Sequence, residues 1–185
     1  MKTKDELRRK FLALRKIRYF DISDKIFIQL SNYIKTKFKI KKKIYIALYY
    51  PSNYEINVFK IMKYFKKSQA IFLLPKIKEG NFLEFFKWTS RDVLEVNKFG
   101  IPEPIKSKKI FSPDVVLVPL LAFDGEMNRL GYGKGFYDKY LNNLIKLNKR
   151  IKAIGVAFSF QRYKKIPSSK LDFKLNNIFT EKGFI

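Results

Sequence analysis

Two residue types that carry much of enzyme chemistry are missing from this chain: among 185 residues there is no cysteine and no histidine. Without cysteine there is no disulfide, no thiolate nucleophile and no thiolate metal site. Without histidine there is no Ser-His-Asp triad, no HExxH zinc site and no imidazole acid–base catalyst. Long apolar runs are missing as well. No stretch of about 18 uncharged apolar residues occurs, which excludes a membrane-spanning helix. The basic first twenty residues are interrupted by Asp5 and Glu6 and lack an apolar signal core, so a transit or signal peptide is not expected and the cytoplasm is the expected location. Acidic residues are scarce, 16 against 40 lysines and arginines, for a formal charge of +24. Chemistry here must run on carboxylates, lysine, arginine, tyrosine, backbone dipoles or a bound metal.

A charge of that size invites a nucleic-acid partner. The lysines, however, are scattered through every segment, and Lys, Ile, Asn, Phe and Tyr are all frequent, the pattern of an AT-rich coding sequence choosing among tolerated surface residues. Solvated surface charge is the favoured reading, with no nucleic-acid and no membrane partner expected. At 46% hydrophobic composition, residues 1–185 are enough for one domain with a substantial core.

The chain is organised around Asn128-Arg129-Leu130-Gly131-Tyr132-Gly133-Lys134-Gly135-Phe136-Tyr137-Asp138. Upstream, Val115 to Asp124 is a continuous, partly β-branched apolar run and reads as a buried strand. Downstream, Phe136, Tyr137, Tyr140, Leu141, Leu144 and Leu147 recur at helical spacing. The glycines therefore stand where a strand hands over to a helix, a place where free N–H groups and the helix dipole attract anions. Glycine at 131, 133 and 135 permits close approach to a phosphate and positive φ. Arg129 and Lys134 add positive charge, and Asp138 supplies the hard oxygen that Mg²⁺ prefers. No Gly-Lys-Ser/Thr closes the run, so it is not a Walker A loop, and its register is not a dinucleotide fingerprint. A plain glycine-rich turn is the alternative.

Thr3 and Glu6 form a capping box ahead of a helix with Leu7, Phe11, Leu14 and Ile17 on its apolar side and Lys4, Arg8, Arg15 and Arg18 on its polar side. A second helix is predicted from Ser23 to about Phe38, with Lys39 to Lys43 as a connector. Strands are predicted over Ile44–Tyr50, Ala70–Ile77, Leu83–Trp88 and Lys152–Phe158, with a helix bearing Phe59, Met62 and Phe65 between the first two. Asn97 to Pro104 is too rich in Pro and Gly to be regular. Strands alternating with helices predict an α/β, Rossmann-like three-layer sandwich around a mostly parallel sheet, with the glycine loop at the carboxyl end of its strand, where such sheets place ligands.

The motif Ala122-Phe123-Asp124, Asn128-Arg129-Leu130-Gly131, Gly133-Lys134-Gly135-Phe136-Tyr137-Asp138 resembles the signature of the 5-formyltetrahydrofolate cyclo-ligase family, also called methenyltetrahydrofolate synthetase. Phe99-Gly100-Ile101-Pro102-Glu103-Pro104 and the tail Gln161, Pro167, Asp172, Thr180-Glu181-Lys182-Gly183 are similar to the same family, so the resemblance spans nearly the whole chain. It implies an ATP- and Mg²⁺-dependent enzyme that closes 5-formyltetrahydrofolate to 5,10-methenyltetrahydrofolate, and a monomer is expected. By that resemblance Lys4, Arg8, Arg129, Leu130, Gly131, Tyr132, Gly133, Lys134, Gly135, Phe136 and Tyr137 hold ATP, with Arg129 and Lys134 catalytic. Tyr50, Glu55, Phe99 and Tyr132 hold the folate, and Asp138 and Asp172 ligate magnesium. Two other classes stay open at this stage: a basic RNA-binding protein, whose affinity would fall steeply with salt, and another phosphate-handling enzyme on a similar sheet, such as a sugar-phosphate isomerase.

Overall fold

Successive residues of a strand point to opposite faces, and here both faces are apolar. Ile46, Leu48, Val115, Leu117, Ile154 and Val156 join one buried cluster, while Ala47, Val116, Val118 and Ala153 join another. Strands buried on both sides belong in the middle of a parallel sheet. The computed structural model, which describes residues 2–38, 43–105, 109–147 and 150–185, has that sheet. Its helices are α1 (Lys4–Arg18), α2 (Ile26–Phe38) and α3 (Phe136–Lys146). Its strands are β1 (Ile44–Ala47), β2 (Ala70–Lys78), β3 (Phe82–Lys87), β4 (Leu94–Val96), β5 (Pro102–Pro104), β6 (Val115–Pro119), β7 (Ala122–Phe123), β8 (Arg129–Leu130), β9 (Lys152–Val156), β10 (Asn177–Thr180) and β11 (Gly183–Phe184).

The main sheet runs β11-β10-β9-β6-β1-β2-β3. Every pairing from β10 to β2 is parallel, and only the two edge pairings are antiparallel. Phe27, Leu30 and Ile34 of α2 pack on one face, and Leu141 of α3 packs on the other, giving the three α/β layers expected. Helix α1 stands apart: Leu7 and Phe11 pack with Leu121, Ala122, Leu130 and Ile166. Gly155 lies beneath a crowded spot, since a Cβ there would come within 2.6 Å of Leu175 Cδ1 and 2.7 Å of Leu120 Cδ2.

Several local expectations are corrected. The segment expected as a helix around Phe59 is one, of the 3₁₀ kind, Val58–Tyr64, capped by the Asn57 side chain. Its buried residues Val58 and Ile61 stand three apart, which matches three residues per turn. β1 stops at Ala47 and β9 at Val156, β2 continues to Lys78, and α2 begins at Ile26 after a turn. The connector expected over Lys39–Lys43 lies, but for Lys43, outside the described residues. Asn97–Pro104 is the turn and second strand of a hairpin, β4–β5. The Glu103 carboxylate holds it to the sheet edge by accepting from Ile77 N–H at 3.1 Å, Lys76 Nζ at 2.9 Å and Asn97 Nδ2 at 2.8 Å. On α1, Ile17 is 81% exposed, because it lies off the Leu7–Phe11 line, and Arg15, which continues that line, is buried.

The largest departure lies between β6 and the glycine loop. The apolar run does not continue to Asp124 as one strand; the chain leaves the sheet after Pro119 and folds into the two-stranded hairpin β7–β8. Asp124, 1% exposed, clamps the turn. Its Oδ1 accepts from the N–H groups of Glu126 and Asn128, both at 3.0 Å. Its Oδ2 accepts from Asn128 Nδ2 at 3.0 Å and from Ile166 N–H at 2.9 Å. Burial pushes this carboxyl up, but the hydrogen bonds outweigh burial and hold it below the ordinary carboxylate value. A depressed carboxyl contributes stability that is fully present above the unfolded value, about 3.9, and is lost as pH falls through the folded one. Asp124→Asn is therefore expected to destabilise by about 1–3 kcal/mol at pH 7. The gap from the parent should close as pH falls below about 4, read as urea midpoints across pH; a gap independent of pH would remove the carboxylate from this role.

Candidate functional site

β1 and β6 are neighbours, yet the chain proceeds from β1 to β2 on one side and from β6 to β9 on the other. At such a divergence a cleft opens at the carboxyl ends of the strands. The cleft here is a cavity of about 430 Å³, in the usual size range for small-molecule sites. It is walled by the glycine loop and α3 on one flank, by the 50–55 turn after β1, and by the β4–β5 hairpin.

One end is built for anions. From Tyr132 to Asp138 the backbone N–H groups have no acceptor among the described residues, and they lead into the first turn of α3, whose dipole adds to their field. Gly135, in left-handed conformation at φ 70°, occupies the cap position of that helix. Gly133, at φ 97°, lies against the Arg8 guanidinium, where a Cβ would stand 3.1 Å from Cζ. Arg8 Nε donates to Gly131 O at 3.0 Å, and Arg8 also pairs with Asp5 on its own helix. Arg129, 8% exposed on β8, donates from Nη2 to Asp138 Oδ1 at 2.7 Å. Lys4 Nζ meets Asp172 Oδ2 at 2.7 Å across most of the chain's length. Burial raises the Asp172 carboxyl, but the Lys4 and Ser169 hydrogen bonds prevail and hold it below the ordinary value. Lys134 has no ion pair among the described residues and stands 5.9 Å from the Phe99 ring centre.

The other end is aromatic and apolar. Phe99, at the tip of the β4–β5 hairpin, meets Phe136 edge-on at 5.7 Å, and Tyr50 meets Phe59 edge-on at 5.6 Å. Leu130, Phe136 and Tyr137 also line the cavity. Glu55 is a buried carboxylate among them, reached through Asn53 and Tyr54, both of which adopt positive φ. It accepts from the Tyr132 hydroxyl at 2.6 Å and from Ser52 N–H at 2.9 Å. Burial pushes its carboxyl above the ordinary value, against the opposing pull of Arg15, Tyr132 and Ser52. The Tyr132 hydroxyl is raised too, by burial and by the Glu55 charge.

All the residues that the sequence singled out thus converge on one cavity, from Lys4 in the first helix to Asp172 near the end. Asp138 Oδ2 and Asp172 Oδ1 carry no hydrogen bond among the described residues, and both side chains reach the cavity wall. No cluster of three or more acidic side chains forms there among the described residues. Two carboxylates fit a magnesium ion that arrives on a triphosphate, since Mg²⁺ is held by one or two carboxylates and completes its octahedron with phosphate oxygens and water.

Sequence reasoning missed Arg15, expected on the solvent face yet 1% exposed. Its Nη1 donates to Leu120 O at 3.1 Å and its Nη2 to the Tyr132 hydroxyl. The four-residue spacing Leu7, Phe11, Arg15 was the available signal. Gln161 was placed only within the tail motif. It is buried, and its Nε2 bridges Leu120 O at 3.0 Å and Leu121 O at 2.8 Å, so it holds the exit from β6.

Known proteins resemble this chain in sequence and fold. A 5-formyltetrahydrofolate cyclo-ligase of Haemophilus influenzae is 31% identical over 139 residues, 72% of this chain and 73% of that protein. The solved 5,10-methenyltetrahydrofolate synthetase of Aquifex aeolicus superposes with a TM-score of 0.71 at 30% identity, covering 98% of this chain and 91% of the other. That of Mycoplasma pneumoniae gives 0.73 at 26% identity, covering 97% and 99%. The sequence profile of the 5-formyltetrahydrofolate cyclo-ligase family matches residues 1–181. With the same fold at that coverage and the family pattern running almost from end to end, this chain belongs to the 5-formyltetrahydrofolate cyclo-ligase family.

Proposed function

We propose that this chain converts 5-formyltetrahydrofolate and ATP to 5,10-methenyltetrahydrofolate, ADP and phosphate, with Mg²⁺ bound alongside the nucleotide. The observation that carries the reading is a cavity with two chemistries: cations and a row of N–H groups with no acceptor among the described residues at one end, aromatic walls around a buried carboxylate at the other. Such a pocket suits a polyphosphate and a flat heterocycle held face to face, with apolar walls that keep water from the reacting atoms.

A formyl group on nitrogen is a poor electrophile, and its oxygen is a poor leaving group. Transfer of the γ-phosphoryl to that oxygen cures both. N10 then attacks the formyl carbon, loses its proton, and the carbon–oxygen bond breaks to release phosphate. None of this needs a protein nucleophile. The work is positioning and charge stabilisation, which a chain without cysteine or histidine can supply. Lys4, Arg8, Arg129, Lys134 and the backbone from Leu130 to Tyr137 hold the triphosphate, with Arg129 and Lys134 stabilising charge on the group in transfer. Tyr50, Glu55, Phe99 and Tyr132 hold the folate. Asp138 and Asp172 would hold magnesium, which supplies charge neutralisation on the phosphates.

The deciding experiment follows the near-ultraviolet methenyl band in a mixture of protein, 5-formyltetrahydrofolate, ATP and Mg²⁺. Growth of the band only when nucleotide and metal are both present is the expected result; a flat trace from folded protein overturns the reading. Asp138→Asn keeps the acceptor oxygen used by Arg129 and Phe173 but removes the charge that counters the buried Arg129 guanidinium, so it should still fold, with a lowered urea midpoint. Turnover should drop by about a hundredfold or more, and substantial residual activity would take Asp138 out of the metal site. Lys134→Ala is expected to raise KM for ATP, or lower kcat, by about tenfold. Unchanged kinetics would make Lys134 a surface residue.

A further inference from the structure

Arg15 is a buried arginine that does not line the cavity, and its surroundings do not account for it as a stabilising residue. Its Nε has no hydrogen-bond partner among the described residues. A buried charge with an orphaned donor stabilises less than an apolar side chain packed in the same space. What Arg15 does have is an unusual pair of partners. Nη2 takes the Tyr132 hydroxyl, and that hydroxyl donates in turn to Glu55 Oε1 at 2.6 Å. Nη1 stands 3.9 Å from the same Glu55 oxygen and is itself anchored on Leu120 O, the residue after the end of β6. The guanidinium also lies 5.7 Å from the Tyr132 ring centre.

Tyr132 sits between Gly131 and Gly133. Glycine is the residue that loses most conformational freedom on being ordered, and it offers no side chain to pack. The first half of the phosphate loop therefore brings one side chain of its own by which it can be tied down, beside the hold of Arg8 on Gly131 O. That side chain ends on Arg15 and Glu55.

We propose that Arg15 is a positioning residue: through the Tyr132 hydroxyl it fixes the glycine loop, and the same contact turns the Glu55 carboxylate toward the folate end of the cavity. The phosphate loop and the folate carboxylate are then set by one buried guanidinium that touches neither substrate. This rests on the reading of the loop as the triphosphate site.

Two readouts test it in the whole chain: backbone ¹⁵N order parameters at Gly131 and Gly133 without nucleotide, and the Kd of a non-hydrolysable ATP analogue with Mg²⁺. Tyr132→Phe removes only the hydroxyl and leaves the Arg15–Glu55 pair. It should lower the order parameters from about 0.85 towards 0.6 at those two glycines while the sheet stays rigid, and weaken the analogue about tenfold. Arg15→Met should do the same, and Arg15→Lys should recover part of the loss, because an ammonium can still donate to Tyr132. The double variant Arg15→Met with Tyr132→Phe should bind no worse than the weaker single one, since both cut the same tether. Unchanged order at Gly131 and Gly133 in Tyr132→Phe, or losses that multiply in the double variant, would overturn the proposal. If the parent protein binds no nucleotide, the functional reading fails on its own, and the order parameters still decide the role of Arg15.

Discussion

Strands β1 and β6 lie side by side, and the chain leaves them toward opposite edges of the sheet; the rest of the site depends on that divergence. The central strands are apolar on both faces, so neither face can display polar chemistry without breaking the core. Polar work is confined to the segments that follow the strand ends. After β1 comes the turn that carries Tyr50 and Glu55, and after β6 comes the hairpin that delivers Arg129 and the glycine loop. Because the two exits part company, these segments flank a gap instead of filling it. The β4–β5 hairpin, bound to β2 through Glu103, closes the gap from the side and brings Phe99 over Phe136.

Within that gap charge is arranged in pairs. Arg129 meets Asp138, and Lys4 meets Asp172. Cations gathered in a low-dielectric cleft repel one another strongly unless countered, and the two carboxylates relieve that repulsion while keeping one oxygen each without a hydrogen bond among the described residues. A triphosphate carrying a divalent ion would exchange partners with both pairs: cation to phosphate, carboxylate to metal. Exchange of this kind creates little newly unpaired charge, which is the expensive event in a buried site. Lys134 differs. On the described residues it has no such pair, and its ammonium rests near an aromatic ring at the cavity's mouth.

Much of this was legible beforehand. Val115 to Val118 announces a strand buried on both faces, and Thr3 with Glu6 announces the start of α1, where the capping box is present. The glycine run, its place before a helix and the pair Lys4 and Arg8 could be read from spacing and family pattern. What could not be read depended on distant partners. Arg15 looks like helix solvation until Tyr132, 117 residues away, is seen to meet it. The hairpin β7–β8 hides inside a continuous apolar run, because Leu120 still packs on the sheet while Leu121 and Ala122 are buried by α1 instead. Pro102 and Pro104 argue against a strand on local grounds, and Glu103 between them overrides that by bonding to the backbone and side chains of its neighbours. Each miss is a tertiary contact prevailing over a local preference.

The ion pair between Lys4 and Asp172 joins residues 168 positions apart. Contacts so remote in sequence are closed late, since the loop entropy must be met before the contact can repay it. During synthesis the first helix emerges long before the residue that will pair with its lysine. A chain still missing its last strands already carries the glycine loop and most of the cations, but not the carboxylate at 172 or the strand β10 beyond it. The pairing of Lys4 with Asp172 thus waits for the segment around Asp172 to be made, and a chain without it is a basic, incomplete cleft.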